Sequence, residues 1–148
     1  MSDQDKDEIR TSALLNKLSH EADIENFIDQ NAQLLEIPTF DAYITRLCKN
    51  SGNVPEQVIR NASIERTYGH QLFNGTRKPS RDKVIQLAFG FKMDLEATQK
   101  LLQIAQKSAL YPKIKRDAAI IYCIQHHQDV LDTQSLLQSL GLTLLGGE

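Results

Sequence analysis

Tryptophan is absent, aromatic residues make up 6% of the chain, and its 148 residues include only two cysteines, two methionines, four prolines and seven glycines. Cys48 and Cys123 are too few and too far apart for a disulfide framework or a cysteine-based metal site. Each falls in an apolar helical pattern and is read as a buried reduced thiol, with a disulfide or a reactive thiol as the alternatives. No stretch sustains apolar–polar alternation, so strands are not expected. No apolar run approaches the length of a membrane span, and the acidic start MSDQDKDE is unlike a signal peptide. The expectation is therefore a cytoplasmic protein without a membrane segment. No nucleophile–base–orienter set, catalytic carboxylate pair or phosphate-cradling glycine loop is visible, so neither an enzyme nor a cofactor is expected. His126 and His127 are adjacent. On a helix they point about 100° apart and share one ion poorly, and no ligand stands at a familiar spacing from them, so no metal is expected.

What is present reads as helix. Hydrophobic residues make up 41% of the chain, enough for a globular core. Helix 1 is expected near 5–19, with Ile9, Leu14, Leu15 and Leu18 apolar, and helix 2 at about 21–35, with Ile24, Phe27, Ile28 and Leu35. Thr39 can cap helix 3, whose Phe40, Tyr43, Ile44 and Leu47 share a face. Ser80 caps helix 6, running to about Phe89 with Val84, Leu87 and Ala88 inward. Asp94 caps helix 7 (95–107), Pro112 opens helix 8 (to about 127), and Asp129 caps helix 9, which stops at Gly141. The apolar tail LTLLGGE has no assigned packing.

The net charge of −2 hides an asymmetry. Residues 1–41 carry −7, residues 42–59 carry +1, residues 60–83 carry +4, and residues 84–148 carry none. The basic charge is thus concentrated in one short segment, the local footprint that nucleic-acid binding requires. The acidic N-terminus reads either as a solvated helix surface or as a region that repels DNA.

That basic segment overlaps PEQVIRNASIERTYGHQLFNGTRKPSR, Pro55 to Arg81. Pro55 suits a first helical position, and the first short helix should reach Ala62. A break follows at Ala62-Ser63-Ile64. A second helix runs from about Glu65 to Asn74 and stops at Gly75, which accepts the left-handed conformation. A basic loop, Thr76 to Ser80, comes next. One helix braces, a second can enter a major groove, and cations follow for phosphates.

This stretch resembles the Xre-type, phage-repressor-like helix-turn-helix regulators of bacteria and their viruses. Val58-Ile59, Ser63-Ile64, Leu72 and the run Asn74-Gly75-Thr76-Arg77-Lys78-Pro79-Ser80 carry the resemblance, which spans roughly residues 39 to 105. It implies DNA base contacts from Arg66, Thr67, Gln71 and His70, and phosphate contacts from Asn74, Thr76, Arg77 and Lys78. Arginine can bond guanine bidentately, glutamine adenine, and threonine can meet a thymine methyl. The chain departs from the family pattern at Ala62, at Ser63 in the turn, and at Gly69, where a branched apolar residue is usual. Gly69 is read as allowing close approach to DNA or to a neighbouring helix, or as marking a helix that no longer reads DNA. Tyr68 and Leu72, four apart on the opposing side of the helix, are read as core in preference to a stacking platform.

A repeat occupies the C-terminal half. Segment 81–105 aligns without gaps on 116–140, with nine of 25 positions identical. The pairs include Arg81/Arg116, Asp82/Asp117, Asp94/Asp129, Thr98/Thr133 and Gln99/Gln134. This is read as a repeated helix pair that stacks on its neighbour. Lys113, Lys115 and Arg116 form a second basic run, read as an ordinary charged helix start.

The expected architecture is all-α: acidic N-terminal helices (1–37), a helix-turn-helix core (38–107) and a C-terminal helix pair (108–148). The expected function is a sequence-specific DNA-binding transcriptional regulator, homodimeric on DNA. The alternative is a protein-interaction module that reuses the fold without DNA, binding a protein partner through the acidic helices or the repeat faces.

Overall fold

The computed structural model describes the backbone of residues 3–31 and 37–146, with side chains from residue 11 onward within those spans. Among the described residues there are nine helices and no strand. The chain divides into two units, residues 1–37 and 38–148.

The first unit holds α1 (Asp3–His20) and α2 (Ile24–Gln30). Asp23 starts α2 by accepting from the backbone N–H groups of Glu25 and Asn26. Asn31 ends it, its side-chain amide donating to the Phe27 carbonyl at 2.8 Å while its Oδ1 accepts from Lys17 Nζ at 3.3 Å. The helix therefore starts later than the 21 expected and is capped at Asn31, and residues 32–35 of the expected 21–35 span lie outside the described residues. Phe27 is buried, but Leu15, Leu18, Ile24 and Ile28 are exposed. One short helix pair has too few faces to enclose two apolar stripes. Ile9 and Leu35 lie outside the described side chains.

The second unit holds α3 (Phe40–Ser51), α4 (Pro55–Asn61), α5 (Arg66–Asn74), α6 (Arg81–Gly90), α7 (Leu95–Ile104), α8 (Lys115–Gln125) and α9 (Val130–Ser139). Ser80, Asp94 and Asp129 cap α6, α7 and α9, accepting from Lys83, Ala97 and Asp132. Thr39 sits at the start of α3 but makes no side-chain capping bond. Helix α7 ends before 107 because Gln106 turns left-handed (φ 58°), letting Lys107 N–H bond back to the Leu102 carbonyl at 2.9 Å. Helix α8 starts later than Pro112 because Tyr111–Ile114 form a turn, Ile114 N–H donating to Tyr111 O at 3.0 Å.

Three helix pairs share one joint. Ser63, Lys92 and His127 follow α4, α6 and α8 with φ of 56°, 57° and 55°. Two residues later an acidic N-cap, Glu65, Asp94 or Asp129, opens the next helix. The fourth residue of that helix is Gly69, Thr98 or Thr133, and all three are buried. The bend between α4 and α5 is thus this chain's general way of folding one helix back on the next.

Helix α6 lies at the centre, packed on α4 and α7, with every residue from Val84 to Gly90 buried. Its Gln86 donates Nε2 to the Ala62 carbonyl at 3.1 Å, satisfying the C-terminus of α4. Around it the core draws Ile44 and Cys48 from α3, Val58 and Ile59 from α4, Leu72 and Phe73 from α5, Leu101 and Leu102 from α7, Ile120 and Cys123 from α8, and Leu137 from α9.

The repeat closes on itself rather than stacking in one direction. Arg81 donates Nη1 and Nη2 to Asp117 at 3.1 and 2.9 Å; Arg116 donates the same pair to Asp82 at 3.1 and 2.9 Å. Each arginine also holds carbonyls of its own repeat, Ser108 and Ala109 for Arg81, Thr143 and Leu144 for Arg116. Each aspartate also accepts a backbone N–H, from Tyr111 at Asp117 and from Gly146 at Asp82. Gln99 brackets Leu110 through both backbone groups, as Gln134 brackets Leu145. A translational stack would send such contacts one way; a reciprocal exchange is the signature of a two-fold relation. The tail thereby packs, with Leu145 buried.

Removing one arginine would strand a buried carboxylate. Arg116→Ala and Arg81→Ala should each destabilise the fold by about 3–5 kcal/mol. Urea denaturation checks this, and the near-equality of the two losses tests the symmetry.

Gly69 faces α4. A Cβ added there would lie 2.4 Å from Ile59 Cγ2 and 2.7 Å from Ile59 Cγ1. The large Ile59 fills the room that the missing side chain leaves. Gly69→Ala alone should lose about 1–3 kcal/mol through overpacking. In an Ile59→Ala background the same change should gain about 1 kcal/mol, because the helix-propensity benefit then acts without a clash. Thermal denaturation of the two single variants and the double variant would show this reversal of sign.

Candidate nucleic-acid interface

The first turn of α5 is set by Glu65, whose Oε1 and Oε2 accept from the backbone N–H groups of Thr67 and Tyr68 at 2.9 and 2.8 Å. These two bonds, Tyr68 first, hold the Glu65 carboxyl below the ordinary glutamate range. They also occupy helix-terminal donors that would otherwise be open to an anion.

Beside this turn, Glu56 from α4 bridges two residues of α5. Arg66 donates Nε to Glu56 Oε1 at 2.7 Å, and His70 Nε2 lies 2.6 Å from Oε2. His70 must carry a proton on Nε2 for that contact, since an ionised carboxylate only accepts. The hydrogen bond from Arg66, then that from His70, hold the Glu56 carboxyl below its ordinary value. Nothing near Glu56 in the sequence marks it; it stands ten residues before Arg66, and only the fold back at Ser63 brings the two together.

The loop after α5 is shaped by Gly75, left-handed at φ 82°. Asn74 Oδ1 accepts from Thr76 N–H at 2.9 Å, and Arg77 N–H returns to the Gln71 carbonyl at 3.2 Å. Gln71 Oε1 accepts Arg77 Nε at 3.0 Å, and the Arg77 guanidinium lies 4.5 Å from the Tyr68 ring centroid. Lys83 Nζ sits 5.4 Å from the same ring. Tyr68, expected in the core, is thus half-buried and serves as a platform for two cations. Pro79 is buried and anchors the end of the loop.

Of the residues expected at bases, Arg66 and Thr67 are exposed, while His70 and Gln71 are half-buried and already bonded to Glu56 and Arg77. The residues expected at phosphates, Asn74, Thr76, Arg77 and Lys78, are all exposed, at the opposite end of α5 from Arg66 and Thr67. Arg81 and Asp82 lie in the repeat exchange instead, so two of the charges counted in the basic segment are internal.

The other candidate groups stay apart from this site. Lys113 and Lys115 are exposed, whereas Arg116 turns inward to Asp82. His126 stacks on Tyr122, with ring centroids 4.0 Å apart, and His127 forms the α8–α9 bend. Among the described residues no group of three or more His, Cys, Asp or Glu could hold a metal ion, and no helix is long and apolar enough to cross a membrane. Cys48 and Cys123 are buried and free, and burial pushes both thiols up. No protein-family model, curated protein or solved structure matches the chain.

The Glu56 bridge makes a pH prediction. The depressed pKa means the pairing is present above the ordinary glutamate range and is lost as pH falls through the lowered value. In a carboxyl-detected NMR titration, Glu56 should titrate below an ordinary glutamate, and Arg66→Ala should move it upward.

Proposed function

We propose that this chain is a sequence-specific DNA-binding transcriptional regulator of the Xre-like helix-turn-helix kind. In this reading the first turn of α5 reads bases and the 74–78 loop holds phosphates. The observation that carries it is the unbroken exposed run from Asn74 to Lys78, directly behind a helix whose first turn exposes Arg66 and Thr67. Arg60, also exposed, adds to the same local excess of positive charge. Duplex DNA carries about one charge per 1.7 Å, and such a cluster gains by releasing its counterions. Pairing of two copies on half-sites belongs to the same reading.

A second reading, a protein-interaction module, is favoured by one specific observation. The bend between α4 and α5 recurs between α6 and α7 and between α8 and α9, and after α9 no basic residue follows. The bend is therefore scaffold, and the DNA reading rests on the side chains alone.

Retention on duplex DNA resin separates the two. A regulator binds at low salt and elutes steeply as salt rises; a chain that flows through at low salt is not one. Lys78→Ala should reduce the slope of log K against log salt by about one without changing base preference. Arg66→Ala should relax preference at one base pair by about 1–3 kcal/mol. Both are read by fluorescence anisotropy on the duplex that the wild-type protein selects from a random pool.

A further inference from the structure

We infer that Glu56 and Gln71 are positioning residues, each holding one arginine of the proposed DNA face by its Nε so that the terminal nitrogens are presented to the nucleic acid. This rests on the DNA reading above and adds which residues set its specificity.

Arginine recognises guanine with a fork of two N–H donors aimed at O6 and N7. A freely rotating arginine must lose much of its side-chain entropy to adopt that fork, so pre-ordering it strengthens discrimination. Arg66 is hydrogen-bonded to Glu56 through Nε alone, and the Glu65 carboxylate is a second, coulombic neighbour of its charge. Its side chain remains 76% exposed. The bond therefore orients the group without hiding it. Glu56 is itself held at its other oxygen by His70, which fixes the carboxylate between two residues one helical turn apart on α5.

Arg77 repeats the arrangement by other means. Gln71 Oε1 takes its Nε, and the Tyr68 ring supports its flat face. This gives Gln71 a different task from the adenine contact expected of it, because its amide oxygen is already engaged. Arg66 is then the guanine reader and Arg77 a phosphate contact of fixed geometry. Two independent acceptors, one charged and one neutral, grip two arginines at the same nitrogen.

The test begins with the full-length protein and a pool of random duplex DNA. Wild type should enrich a motif containing a G·C pair. At one fixed salt concentration, the ratio of affinity for that motif to affinity for unrelated duplex is then measured for the variants. Glu56→Ala should lower the ratio about tenfold, and Glu56→Gln, which keeps an acceptor for Nε, should restore much of it. Glu56→Ala/Arg66→Ala should be no worse than Arg66→Ala, since Glu56 acts through Arg66. Using a ratio cancels the uniform gain expected from deleting a negative charge beside DNA. If wild type enriches no motif, the DNA reading itself falls. If it enriches a motif and Glu56→Ala keeps or raises the ratio, Glu56 is a competitor for Arg66 rather than its support, and the inference is overturned. Equal losses from Glu56→Ala and Glu56→Gln, each additive with Arg66→Ala, would likewise overturn it. Circular dichroism of each variant checks that the fold is retained.

Discussion

Asp82 and Asp117 are carboxylates taken almost wholly out of water at the first turns of α6 and α8, and the second unit is arranged around keeping them satisfied. Each receives a two-pronged arginine and a backbone N–H. Each arginine is in turn fixed by two carbonyls of the loop that follows its own helix pair. A buried carboxylate tolerates this location only with such full coordination. The exchange therefore fixes α8 against α6, fixes the 108–111 and 143–146 loops, and leaves no open end to which a third pair could be added in the same way.

Because α6 also packs on α4 along its buried side, the arginine exchange and the candidate interface share a wall. Gln86 ties the turn at Ala62 to the middle of α6, and Ile59 fills the space beside Gly69. The position of α5 is thus set from behind by packing rather than by its own short length. Nine residues of helix are marginal alone. The interface can be polar and exposed because its support is apolar and remote.

Gly69 shows how the tertiary arrangement alters a sequence argument. Viewed along the chain it is a weak point in a reading helix, or room for close approach of DNA or of a neighbouring helix. In the fold it is a buried contact with Ile59, equivalent in place to Thr98 and Thr133 in the later pairs. Its small size is explained by a neighbour ten residues earlier, so it says nothing for or against nucleic-acid binding. Gln71 changes in the same manner: as a helix-surface glutamine it suits adenine, but its oxygen already accepts from Arg77.

The helices, most of their caps, the thiols' burial and the duplicated segment were legible in the residues, because periodicity, N-cap chemistry and left-handed stops act within a few positions. Helix ends were less legible where a non-glycine residue, Gln106, turned left-handed or where a turn displaced an expected start. The eight candidate contact residues were named from local pattern, and their exposure separates the loop and Arg66 from the half-buried His70 and Gln71. Sequence by itself determined that this protein is helical, that its basic charge is local and that residues 81–105 are repeated. Only the tertiary structure decided that the repeats exchange arginines, that Gly69 answers Ile59 and that Glu56 holds Arg66. Each of those depends on residues far apart in the chain brought within a few ångströms, and no local preference encodes that distance.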